Sequence, residues 1–207
     1  MGGAMLKYIH TTWLHAILVL VAVYLDGGIA LQLAGVLFKL PTAASPFLCI
    51  LVILMPILSG TVNQVRMRWG YVIAFAGGLV FDIFYTGIIG IAMIGFPLTF
   101  WVAANIQRYF PNTMFWAMAT WFLSLCTYLT YDYLAFGLIN LANLAPASFV
   151  VFHLFPTLLI NLILFLLCYQ GLDFLYQATR QPDLEHYNVD RRDLNSGLNF
   201  KRRSQRY

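Results

Sequence analysis

Four aspartates, Asp26, Asp82, Asp132 and Asp173, lie within or beside long apolar runs, and His153 opens another such run. An ionisable side chain held in an apolar medium marks function or specific pairing, because leaving it unpaired there is costly. Carboxylates and an imidazole in such a setting have three uses: a hydrogen-bonded lock, a ligand or partner site, or proton transfer. His153 is the one group on its side of the run able to become cationic, since no Lys or Arg falls inside the apolar runs, and it is a natural partner for one of the aspartates. The remaining carboxyls then need protons or neighbours such as Tyr85, Tyr128, Tyr131, Asn140 or Asn143.

Covalent and hydrolytic chemistry lacks its parts. No Gly-x-Ser-x-Gly setting or His-Glu-x-x-His run occurs, and the sole glutamate, Glu185, is remote from the apolar runs. The three cysteines, Cys49, Cys126 and Cys168, stand singly with no Cys-x-x-Cys spacing, which argues against a zinc site or a disulfide framework. The sequence therefore predicts no enzyme activity, no metal and no cofactor.

The elements that position these residues follow from composition. Of 207 residues, 61% are hydrophobic and 10% charged, against about 25% charged in soluble domains. In lipid every backbone polar group must be bonded within the spanning segment, so long apolar runs become helices of roughly 20 residues. The expected fold is an all-α integral membrane bundle with six spans at about 13–38, 46–62, 69–84, 88–106, 112–140 and 148–172. Residues 1–180 form one membrane domain in this reading, and 181–207 a basic cytoplasmic tail expected to be mostly disordered. No small-residue cleavage site follows the first run, which is read as an uncleaved span.

One boundary is forced. The run from Trp69 to Ile106 is nearly continuous and would be about 57 Å long as a single helix, close to twice the hydrocarbon thickness. It must turn, and Tyr85-Thr86-Gly87 is the place. With that turn and both termini inside, eleven of the 12 Lys and Arg residues fall on the cytoplasmic side and only Lys39 outside. Asp26 and Asp82 then share a level about 20 Å up their helices, and Asp132 lies near the outer surface. Ala74, Gly78 and Asp82 recur every four residues as one stripe on the third helix, and small residues at that spacing admit a neighbouring backbone. The Lys201–Arg206 cluster is suited to anionic lipid headgroups or to fixing topology, and nothing resembling a nucleic-acid reading module accompanies it.

The segment from Gly77 to Gly90, with Gly78-Leu79, Asp82, Tyr85, Gly87 and Gly90, resembles the signature of the MreD family of rod shape-determining membrane proteins. Asp26 in Tyr24-Leu25-Asp26-Gly27 and Pro46 ahead of the second run are similar to the forms found in low-GC Gram-positive bacteria. The long basic tail departs from the short ending usual in that family. The resemblance implies a non-enzymatic part of the cell-elongation machinery in the plasma membrane. Its direct partner would be MreC, with MreB, a SEDS glycosyltransferase and a penicillin-binding protein in the same complex. It also implies a bundle similar to the substrate-binding subunits of ECF vitamin transporters. Gly78, Asp82, Tyr85, Gly87 and Gly90 would shape the hairpin that supports MreC, while Asp26, Asp132 and His153 lock the outer half. The alternative is an ECF-type subunit with these aspartates lining a vitamin pocket.

Overall fold

The computed structural model describes residues 11–61, 65, 67–140 and 145–179. The expected tail at 181–207 and the turn residues Asn143 and Leu144 lie outside the described residues. Among the described residues every regular element is helical: α1 (Thr11–Gln32), α2 (Ala34–Leu37), α3 (Leu48–Leu58), α4 (Met67–Phe81), α5 (Ile91–Gln107), α6 (Met114–Leu138), α7 (Pro146–Phe149) and α8 (Phe155–Ala178). Two π-helical turns, Asp82–Thr86 and Val150–Leu154, extend α4 and join α7 to α8. Among the described residues three continuous helices are long and apolar enough to cross a membrane: Thr12–Gln32, Met67–Thr86 and Pro146–Ala178.

Several boundaries differ from those read off the apolar runs. The first run does not continue as one helix to Phe38, because α1 ends at Gln32 and the short α2 follows. The second run, expected over 46–62, forms only the eleven-residue α3, about 16 Å of helix against roughly 30 Å of hydrocarbon. Pro46 does not open it but sits in the irregular segment that leads in.

The short α3 is the centre of the molecule. All eleven of its residues are buried, and α1, α4, α5, α6 and α8 pack around it. The outward faces of the surrounding helices are apolar, with Trp13, Leu31, Val36, Leu138, Leu167 and Phe174 at least two-thirds exposed. Polar side chains are instead enclosed, among them Asp26, Asp82, Gln107, Thr120, Ser124, Thr157 and Asn161. This apolar-out, polar-in distribution suits lipid, where helices gain little from hydrophobic burial and are joined by close packing and hydrogen bonds.

The hairpin of α4 and α5 shows how the small-residue stripe works. Ala74, Gly78 and Asp82 all face inward. A side-chain carbon at Gly78 would collide with the Ala92 carbonyl group and the Met93 Cα, so glycine is what lets the two backbones meet. Farther along, Tyr71 on α4 packs edge-on against Phe100 on α5, with ring centroids 4.9 Å apart. Arg68 and Arg108 thereby sit together at the end of the hairpin opposite its turn.

Candidate functional site

The turn between α4 and α5 is built around one carboxylate. From Asp82 the helix widens by one residue, and the Gly87 N–H donates to the Asp82 carbonyl at 2.8 Å in the i→i−5 pattern of a π-turn. Gly87 and Gly90 then take φ values of +69° and +123°, which side chains strongly oppose. The reversal aims the first N–H groups of α5 back at Asp82. Its Oδ2 accepts from Gly90 N (2.8 Å) and Met93 N (3.0 Å), and its Oδ1 from Ala92 N (2.9 Å) and Thr86 Oγ1 (3.0 Å). Asp82 is fully buried. One side chain thus satisfies the N-terminal donors of the next helix and offsets its positive dipole end without solvent.

Asp26 does the same for α3. Its Oδ1 accepts from Leu48 N at 2.7 Å and its Oδ2 from Cys49 N at 2.8 Å. The rest of that helix entry is held by α8: Phe47 N donates to Asn161 Oδ1 (2.7 Å), Asn161 Nδ2 to Ser45 O (2.7 Å), and Ser45 N to Thr157 Oγ1 (3.3 Å). Asn161 and Thr157 escaped the reading of the sequence, which weighed ionisable groups first. The signal was an amide isolated in the run Leu158-Leu159-Ile160-Asn161-Leu162. Pro156 adds a further tie, because it has no N–H to give the Phe152 carbonyl, and Ala43 N takes that carbonyl at 2.8 Å.

Tyr85 joins the two centres. Its hydroxyl donates to Val23 O at 2.6 Å, and a side chain at Gly27 would collide with that hydroxyl. Tyr85, Asp26, Asp132 and His153 then line one cavity of about 310 Å³, walled by Phe47, Phe81, Tyr128 and Phe136. The rings are mutually packed, with Phe47 to Tyr128 at 5.3 Å and Phe81 to Tyr85 at 4.8 Å between centroids. A second cavity of about 400 Å³ adjoins it, and Asp132, Phe136 and His153 line both.

The expected pairing of His153 with an aspartate is absent: its Nδ1 lies 2.8 Å from Ala43 O, a contact in which only the imidazole can donate. Asp132 accepts no hydrogen bond from the described residues. Asp173 lies apart, on the last turns of α8. Another interior pair, His15 Nδ1 and Tyr176 Oη at 2.6 Å, ties α1 to α8. Among the described residues no group of three or more His, Cys, Asp or Glu side chains is arranged to hold a metal ion.

The motif carrying the resemblance is therefore a structural unit, in which Gly78 permits contact, Asp82 caps, and Gly87 and Gly90 turn the chain. The model of the family described as rod shape-determining protein MreD matches residues 7–179. The chain belongs to the MreD family. No curated protein and no solved structure matches it. Membership in MreD gives a membrane-associated role in determining rod shape, within a family that is structural rather than enzymatic.

Proposed function

We propose that the chain is a non-enzymatic, six-span component of the bacterial cell-elongation complex, with both termini cytoplasmic, and that it binds MreC and so helps organise peptidoglycan synthesis. The family match over residues 7–179 carries this reading. Two features of the molecule support it. The Arg68 and Arg108 ends of the α4–α5 hairpin lie together, as the charge asymmetry of the loops requires of a shared cytoplasmic side. The opposite end is rigidly tied by Asp82, and it presents Ile83, Phe84 and Ile89 outward, each more than half exposed. A partner helix docks best on a surface whose backbone is already ordered, because less entropy is lost on binding. In this reading the hairpin supports the MreC surface, MreB and the wall synthases join through MreC, and the basic tail contacts anionic lipid.

Affinity purification from native membranes, read by mass spectrometry, tests the proposal. MreC and wall synthases should be recovered with the wild-type chain. Ile89→Ala, an apolar truncation of an exposed side chain at the hairpin tip, should lower MreC recovery several-fold while leaving folded yield unchanged, since substitutions of exposed side chains that add no charge cost within about 0.5 kcal/mol. Absence of MreC from the wild-type sample would overturn the reading. One observation favours a second reading, the substrate-binding subunit of an ECF-type vitamin transporter: the aromatic-walled cavity beside Asp26. Recovery of an ATPase pair in place of MreC would establish it.

A further inference from the structure

The polar groups around the cavity are unevenly spent. Tyr85 has given its proton to Val23 O. The Thr86 hydroxyl proton is engaged among Asp82 and the Ile88 carbonyl. His153 has Nδ1 on the Ala43 carbonyl, which can only accept, so Nδ1 carries the proton and the neutral ring offers Nε2 as an acceptor. Asp26 retains acceptor capacity beyond its two N–H donors, because an ionised carboxylate has about four lone-pair sites. Neither oxygen of Asp132 accepts a hydrogen bond from the described residues. Among the described residues that line the space, the Ser45 and Tyr128 hydroxyls remain as possible side-chain donors, and there is neither Lys nor Arg. The cavity thus carries two carboxylates, an imidazole acceptor and a set of aromatic faces, an inventory that matches a cation bearing several N–H donors.

We infer that this cavity binds a small organic cation, a primary ammonium or guanidinium group on a compact apolar body, with Asp132 and the Nε2 of His153 receiving the charged head and Phe47, Phe81, Tyr128 and Phe136 enclosing the body. The volume of about 310 Å³ is at the small end of the range for ligand pockets. Access runs past Asp132, Phe136 and His153, which line the adjoining cavity as well. The same head chemistry is carried by free amines and by the headgroup of phosphatidylethanolamine. The inference is independent of MreC, since it concerns the inner face of the bundle rather than the hairpin tip.

The test uses the full chain in nanodiscs of phosphatidylcholine and phosphatidylglycerol, with benzylammonium as probe and benzyl alcohol as its neutral counterpart. A ligand that binds only the folded chain raises its melting temperature with concentration. Benzylammonium should raise it and benzyl alcohol should not. Asp132→Asn should weaken benzylammonium binding about tenfold or more, the loss of a charge-assisted hydrogen bond, with the ligand-free melting temperature unchanged. Equal responses to the two probes, or no response to benzylammonium, would overturn the inference, and that comparison needs only the wild-type chain. Equal benzylammonium affinity in Asp132→Asn would overturn the placement of the head. Adding phosphatidylethanolamine to the discs separates the sources: a weakened benzylammonium response identifies the headgroup as the occupant, and an unchanged one identifies free amines.

Discussion

Asp82 and Asp132 have the same side chain and both belong to apolar helical runs, yet one is consumed by the fold and the other accepts no hydrogen bond from the described residues. Asp82 meets the start of α5, where three backbone N–H groups and the Thr86 hydroxyl converge on its two oxygens. Asp132 sits six residues before the end of α6, where its neighbours' N–H groups are already bonded within the helix, and none of the described residues donates to it. The difference teaches that an intramembrane carboxylate cannot be assigned a role from residue type or depth. What decides is whether a helix N-terminus is aimed at it, since only there does the backbone present several unpaired donors.

That contrast can be broken by substitution, and the effects should descend in a fixed order. Asp82→Leu should be most damaging, since it strands three N–H groups at the start of α5, that of Ala92 buried and those of Gly90 and Met93 partly so, and replaces a compact acceptor by a branched hydrocarbon. A loss of about 4 kcal/mol or more follows from the cost of unsatisfied donors, seen as a collapse of folded yield on size-exclusion chromatography in detergent. Asp26→Ala should cost less, about 2–4 kcal/mol, because two N–H groups are stranded while Asn161 still holds the Phe47 N–H. A lowered melting temperature in detergent with partial yield is the expected reading, and a loss as severe as that of Asp82→Leu would show that the entry to α3 is held by Asp26 alone. Asp132→Asn should fall within about 0.5 kcal/mol of wild type in ligand-free stability. A large loss there would show that Asp132 is as structural as Asp82 and would erase the contrast.

Much of the site was legible before any fold was known, but its grouping was not. The break near Tyr85-Thr86-Gly87 was forced by length, and the glycine stripe by a four-residue period, so both lie where a local argument puts them. From the sequence alone, Asp26 groups with Asp132 and His153 in one polar network, and Asp82 with the glycines in the hairpin turn. In the structure Asp26 and Asp82 share a job, capping α3 and α5, while Asp132 and His153 line a cavity together without bonding to each other. Asn161 was overlooked because an uncharged amide in an apolar run stands out less than a carboxylate, although it tethers the same helix entry.

The amino-acid sequence by itself determined that the chain is helical and largely apolar, where it must turn, and which family it joins. Those properties depend on composition, run length and residues close together in the chain, where the cost of an unbonded backbone in lipid leaves little choice. Only the tertiary structure decided that the short α3 is the centre, that Asp26 and Asn161 reach it from α1 and α8, and that His153 serves Ala43 instead of an aspartate. These are pairings across 22 to more than 100 residues of chain. They are settled by which buried N–H or C=O lies within reach once the helices have packed, and no local pattern encodes that proximity.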